Sequence, residues 1–366
     1  MTSIRLKIQQ IIDNVKTLPS NDSFSVIVKV VLAVLLGLLI VYLVTLVVSE
    51  NPQEAFKAFI TGPISQPNRI SDWITDAINL TMLGLAISIV FQANQFSLGA
   101  EGQLIFGAMA AGAVALFLPP FTGLFIVGLI ASGVAGFLWG VLPGVLKAYL
   151  GSDEIVSTLM LNFIAVQIYD FLLQNFFMPP GAGAILSDVF PAQGLLPVLG
   201  GKVRTSAGLI VAVLAVIIVW AMLYRTPYGF NLRMSGFNEK FAQHIGLNVK
   251  QVIWLSMAVS GIFAGISGGI LAMGVHTRLV QRISGGMAFE GIIVSMLAQN
   301  NPLLVPVAAV AYSYLRIGAD VMERTSDVSR EIVIVVQAIM ILFLTVQALP
   351  RIRNLRLKYA FGRKKM

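Results

Sequence analysis

Acidic residues interrupt the apolar stretches of this chain at three places, Glu101, Asp170 and Glu290. A carboxylate at the centre of a helix in hydrocarbon costs about 2.5–3.5 kcal/mol on insertion scales, so such a residue is a candidate for function by default. Asp170 stands beside Tyr169 and Phe171 near the end of its run, where an interfacial residue is the plain reading. Glu101 and Glu290 each precede a glycine at the start of an apolar run. There a carboxylate can stabilise a positive helix N-terminus, or it can shape a translocation pathway and hold two half-helices together. The amides Asn94, Gln95 and Gln103 flank Glu101, and Asn162 and Gln167 sit inside another run. Buried amides must be hydrogen-bonded, so these either bond across helices or line a polar route for a hydroxylated solute. Phe163, next to Asn162, could stack on a base, though a lipid-facing ring is the plainer reading.

Catalytic constellations are absent. The chain has no G-x-x-x-x-G-K-S/T loop, no H-E-x-x-H and no G-x-S-x-G. It has no cysteine, which removes disulfides and thiolate metal sites, and its two histidines, His244 and His276, leave little for metal binding or a proton relay.

The elements that must position these residues follow from composition. Of 366 residues 57% are hydrophobic and 11% charged, against roughly 25% charged in an ordinary soluble domain. That excludes a soluble globule and a disordered chain, and it fits an all-α polytopic transmembrane bundle. Apolar runs long enough to be weighed as spans lie near Phe24–Val48, Ala77–Phe91, Leu104–Leu118, Phe121–Leu146, Ile155–Leu173, Ala207–Tyr224, Val252–Gly274, Met287–Ala298, Leu303–Gly318 and Ile332–Leu349. That makes about ten. Leu104–Leu118 and Met287–Ala298 fall short of the roughly 20 residues a span needs, and read as broken or re-entrant helices unless flanking residues join them.

With ten spans both termini share one side. That side collects 16 of the 25 Lys and Arg, a bias that predicts cytoplasmic termini in a cell membrane. Arg316 falls near a span end. The net charge of +8 is then topology, and nucleic acid is not implied. Residues 1–23 carry Ile4, Ile8, Ile11, Ile12 and Val15 at amphipathic spacing and suit the inner surface, residues 24–350 form the membrane domain, and residues 351–366 form a basic tail. The long Pro- and Gly-rich loop from Phe176 to Arg204 is a candidate cap for an outer cavity.

Two local patterns stand apart. Ser260–Gly269 is a run of small residues that predicts close helix packing. In the cytoplasmic loop 226–250, Asn238 can cap a short helix, Glu239 suits its positive end and Gly246 can end it. Phe241 and Ile245 share a face that asks for a partner groove or for the membrane surface. Ser97-Leu98-Gly99-Ala100-Glu101-Gly102 opens one apolar run and Gly285-Gly286-Met287-Ala288-Phe289-Glu290-Gly291 opens another. By the span count the two run in opposite directions, which raises an inverted repeat as in many transporters.

Four segments resemble the permeases of ABC importers for simple sugars and nucleosides. Phe96–Gln103 is similar to their N-I/L-G-x-E-G-Q signature, with Ser97 where Asn is usual. Asp153–Asn162 is similar to the N-E-V-I-S-T-L-M-L-N stretch of the nucleoside branch. Thr226–Arg233 matches T-x-x-G-x-x-x-R, and Phe289–Leu297 followed by Asn300-Asn301-Pro302 matches F-x-G-I-A-V-A-L-L-G-x-x-x-P. The resemblance implies a type II importer fold and no enzyme activity or cofactor on this chain, with ATP and Mg on partner ATPase subunits. It also implies a second, different permease chain and an extracellular substrate-binding lipoprotein. It places a coupling helix for the ATPase at Asn238–Gly246, with Phe241-Ala242 where the family often has two alanines. Ribose or another simple sugar is the nearer alternative cargo, and an ion-coupled secondary transporter the farther one.

Overall fold

The computed structural model describes residues 38–328, apart from 40, 44, 47, 48 and 202. The amphipathic segment 1–23, the basic tail 351–366, and the runs near Phe24–Val48 and Ile332–Leu349 lie wholly or largely outside the described residues.

Eleven helices are used here: α1 (Pro52–Thr61), α2 (Pro67–Gln92), α3 (Ala100–Phe117), α4 (Leu124–Leu150), α5 (Glu154–Leu172), α6 (Gly208–Arg225), α7 (Pro227–Phe237), α8 (Glu239–His244), α9 (Val249–Ile270), α10 (Met287–Leu297) and α11 (Val305–Thr325). Wider π-type turns prolong α5 to Phe177 and α9 to His276. A two-residue antiparallel ladder, β1 (Val198–Leu199) with β2 (Thr205–Ser206), closes the loop between α5 and α6.

Six of these helices, α2, α3, α4, α5, α6 and α9, are long and apolar enough to cross a membrane. The chain is therefore a multi-pass helical membrane protein. The short run at 104–118 gains its missing length from Ala100–Gln103, which join it as the first turn of α3. The run at 287–298 stays short: α10 has 11 residues, about 16 Å at 1.5 Å per residue, half of a 30 Å hydrocarbon core. The apolar run at 303–318 continues as helix to Thr325, carrying Arg316, Asp320, Glu323 and Arg324 on α11, and Arg316 has acidic partners within the bundle.

Helices α2 and α9 form the buried axis, with α3 and α4 against α9 and with α10 and α11 against α2. The small residues make the first contact possible. A Cβ on Gly261 would lie 2.1 Å from the carbonyl oxygen of Gly136, and one on Gly265 would lie 2.2 Å from that of Ser132. Gly268 meets the carbonyl of Leu104 on α3 in the same way, at 2.0 Å. Lipid tails are as apolar as leucine, so helices in a bilayer gain by backbone approach and dispersion contact, which these glycines permit. At the far end of α11, Ser49 Oγ and the Glu50 N–H donate to Asp327 at 2.7 and 2.6 Å, and these bonds hold its carboxyl below the ordinary carboxylate range.

Gly261→Leu drives a side chain into the α4 backbone and is expected to cost about 3 kcal/mol or more, at the upper end of overpacking. Loss of a monodisperse peak in detergent checks it, and a wild-type melting temperature contradicts it.

Candidate functional site

Between α2 and α3 the chain turns back into the bundle. Asn94 ends α2 in the left-handed region, with φ +56. Its N–H donates to Phe91 O at 3.0 Å and the Gln95 N–H donates to Val90 O at 3.1 Å, a paired bond that closes the helix. Asn94 is exposed and serves as the cap of α2.

The next residues, Phe96–Gln103, are held by α5. Thr158 Oγ1 accepts from Leu98 N at 3.1 Å. One turn on, Asn162 donates to Leu98 O at 2.8 Å and accepts from Gly102 N at 2.9 Å. Gly102 has to be glycine, because a Cβ there would lie 2.6 Å from Trp139 Nε1 and 3.0 Å from Asn162 Oδ1. Trp139 in turn stacks on Phe106 at 3.9 Å between ring centroids. Gln103 donates to Met257 O of α9 at 3.3 Å. Two of the sequence motifs thus grip one another, about 12 Å along α5 from Glu154 by helical rise.

A second irregular segment, 277–286, descends to the same point. Tyr169, about 22 Å along α5 from Glu154, donates to Val280 O at 2.8 Å. The loop between α5 and α6 runs beside it: Phe190 N donates to Thr277 O, Ser187 N to Leu279 O and Leu279 N to Ser187 Oγ, each at 2.9 Å. Gln281 donates to Asp170 at 3.3 Å. Near the end of the segment the Ser284 hydroxyl donates to buried Glu101. The backbone N–H of Ala288, in the first turn of α10, faces the same carboxyl. Glu101 therefore sits at the N-termini of α3 and α10 together. Side chains and the neighbouring loop thus meet several backbone groups of this non-helical segment, as a membrane bundle requires.

From that junction the two helices diverge. Helix α10 runs with α2, Gly291 lying against Leu83, Ser295 Oγ 2.8 Å from Ser88 Oγ, and Asn300 O accepting from Gln92 at 2.7 Å. Helix α3 runs with α9. Glu290, in the first turn of α10, meets Arg316 of α11 at 3.3 Å, and Arg316 meets Asp76 of α2 at 2.7 Å. Asp76 is absent from the residues singled out in the sequence. The usable signal was an acid and a base in two apolar runs, each needing an opposite charge.

Of the other candidates, Phe163 is 64% exposed on the outer face of α5, pointing away from Asn162's partners. The short helix of loop 226–250 forms where the sequence places it: Asn238 Oδ1 accepts from Phe241 N at 3.0 Å, Glu239 opens α8, and Gly246, at φ +86, follows its end. Ala242 is fully buried against Ala148, Val249 and Ile253, anchoring α8 to the ends of α4 and α9. Phe241 and Ile245 are each 49% exposed and Phe237 is 85% exposed. Before α8, Thr226 caps α7 by accepting from Gly229 N at 3.2 Å, and Arg233 lies 4.8 Å over the Tyr224 ring. Gly236 packs on Gln92 O, where a Cβ would stand at 2.1 Å, so the loop bears on the end of α2. Burial pushes the Tyr228 phenol up from its ordinary value.

The model of the family described as branched-chain amino acid transport system / permease component matches residues 69–345. The chain belongs to that family. The matched range takes in every described helix of this permease from α2 to α11. It is 32% identical over 323 residues to a guanosine ABC transporter permease protein of Bacillus subtilis, covering 85% of this chain and 91% of that one. It is 28% identical over 344 residues to a nucleoside ABC transporter permease protein of Lactococcus lactis, covering 90% and 93%. A glucose ABC transporter permease protein of Haloferax volcanii is 29% identical over 328 residues, covering 86% of each chain. No solved structure gives a significant match.

Two substitutions test the centre. Asn162→Ala leaves Leu98 O and Gly102 N unpaired, at about 1–3 kcal/mol for each orphaned group, read as lowered thermal stability. Arg316→Leu strands two carboxylates and is expected to cost about 3–5 kcal/mol, whereas leucine at Asp76, Glu290 and Arg316 together restores most of the loss. Equal stability of the single and triple variants contradicts the triad.

Proposed function

We propose that this permease is the membrane subunit of an ATP-driven importer of nucleosides. The observation that carries the reading is its likeness, over most of both chains, to permeases named for guanosine and for nucleosides. A nucleoside is too polar to enter hydrocarbon freely, so the bundle must offer hydrogen-bonding groups along a water-accessible path. Asn94, Glu101, Gln103, Asn162, Phe163 and Glu290 remain the candidates for that path. Among the described residues Gln103 Oε1, Glu101 Oε2 and Glu290 Oε2 are buried acceptors with no hydrogen-bond partner, which favours these three.

Helix α8 is the coupling element. It is capped, anchored through Ala242, and exposes Phe241 and, just past its end, Ile245, with Phe237 of α7 exposed beside them in the chain. An apolar face of this kind suits a groove on an ATPase subunit. ATP binding closes the ATPase pair, α8 carries the movement, and the bundle changes access from outside to inside. The remaining assembly comprises two ATPase subunits, a second permease chain of different sequence, and an extracellular binding lipoprotein. Ten spans with both termini in the cytoplasm agree with the 16 Lys and Arg gathered on one side. An inverted repeat draws support from α3 and α10, which each carry Glu-Gly in the first turn and leave one junction in opposite directions.

Uptake of radiolabelled guanosine into vesicles holding the full complex tests the reading. ATP-dependent, vanadate-sensitive uptake is expected, competed by nucleosides and not by ribose or glucose. Competition by the sugars alone overturns the substrate. Phe241→Asp is expected to lower uptake about tenfold or more by placing a charge in an apolar contact, while ATP hydrolysis continues. Wild-type uptake in that variant overturns the coupling role of α8.

A further inference from the structure

Helix α10 is bounded at both ends by paired left-handed residues. Gly285 and Gly286, at φ +56 and +81, precede it, and Gln299 and Asn300, at φ +53 and +59, follow it. A Cβ on Gly285 or Gly286 would meet nothing within 4 Å, so this joint is free of packing on its side-chain face. Left-handed backbone is rare outside glycine and costs energy in other residues, so two such pairs mark the points where an 11-residue rod joins its neighbours. Between those points α10 is fastened by polar contacts, Glu290 to Arg316 and Ser295 to Ser88, while Ser284 to Glu101 and Asn300 to Gln92 tie down the chain at either joint. Its close approach to α2 is at Gly291, where a Cβ would stand 2.7 Å from Leu83 Cβ. A glycine contact of that kind forms a smooth fulcrum, because no side chain interlocks there. The outward side of the rod carries Phe289, which is exposed.

We propose that α10 is the moving gate of this permease, rocking as a rigid rod on the Gly291–Leu83 contact, with Gly285–Gly286 and Gln299–Asn300 as its hinges. Glu101 and Arg316 latch its first turn, through the Ala288 N–H and Glu290. Asp76 is a positioning residue, since it holds Arg316 and does not touch α10. Contacts of this type suit a two-position element, because hydroxyls and carboxylates can exchange partners while an interlocked apolar interface cannot. Few-residue hinges at element ends are the usual means of absorbing such a movement.

The inference rests on the importer reading, and the test separates the two. The chain has no cysteine, so a pair can be introduced without removing any. Ser88→Cys with Ser295→Cys places two thiols where the hydroxyl oxygens stand 2.8 Å apart, one turn from the fulcrum. In the reconstituted complex the reduced double variant is expected to take up nucleoside as wild type does. Failure of the reduced and wild-type complexes alike to do so counts against the importer reading itself. Oxidation, verified on a non-reducing gel, is expected to lower uptake about tenfold or more, and reductant to restore it. Full uptake by the cross-linked protein overturns the gate. A second measurement stands if the pair does not assemble: Phe289→Cys is labelled by a membrane-impermeant maleimide with and without ATP and vanadate. A changed labelling rate supports the movement, and equal rates in both states overturn it.

Discussion

A backbone N–H or C=O inside hydrocarbon has no water to bond, and most of this structure follows from meeting that demand away from helices. Two segments, 94–99 and 277–286, leave helical geometry within the bundle. Thr158 and Asn162 of α5 satisfy the first. Tyr169 and the loop around Ser187 meet groups of the second. Because α5 serves both, one face of one span sets where α3 begins and where 277–286 passes. The glycines of α4 and α9 bring the backbones of those two helices, and of α3, into close approach.

Charge is handled with the same economy. A chain that is 11% charged places only a few ions inside its bundle, and those meet at the first turn of α10. Glu101 faces two helix N-termini, where a carboxylate is stabilised by the aligned peptide dipoles. Arg316 lies between Asp76 and Glu290, linking α2, α10 and α11. A buried ion pair contributes little net stability and fixes geometry instead, since each member is costly without the others. Half-length α10, with acids at its head and a hydroxyl contact along its flank, is thus fixed by specific bonds as well as by the burial of Ile293, Val294 and Leu297 in the core.

Much of this was legible in the residues. Composition and run length gave a helical membrane bundle, and the Asn238 cap with Phe241 and Ile245 predicted α8 before any coordinates. Phe96–Gln103 and Asp153–Asn162 stood out as motifs, yet nothing in the chain said that they touch. Asn162 read equally as a pathway amide and as a bundle bond, because an amide in an apolar run looks the same in either role. The triad was less visible. Asp76 and Arg316 are 240 positions apart, and a single sequence holds no record of contacts between runs. Arg316 ended an apolar run, and hydropathy cannot distinguish a helix that stops from one whose charge has found a partner.

The two glutamate-glycine starts, the small-residue packing and the exposed helix α8 describe a permease organised around irregular backbone. That non-helical backbone is built into the bundle and kept there by side chains of α5. Hydrogen exchange measured by mass spectrometry on the complex in a bilayer tests this most directly. The amides of Leu98, Gly102 and Leu279 are predicted to exchange as slowly as those of helix α3, with Asn162→Ala releasing Gly102 alone among the three. Exchange of all three at the rate of an exposed loop in the wild-type protein would contradict it.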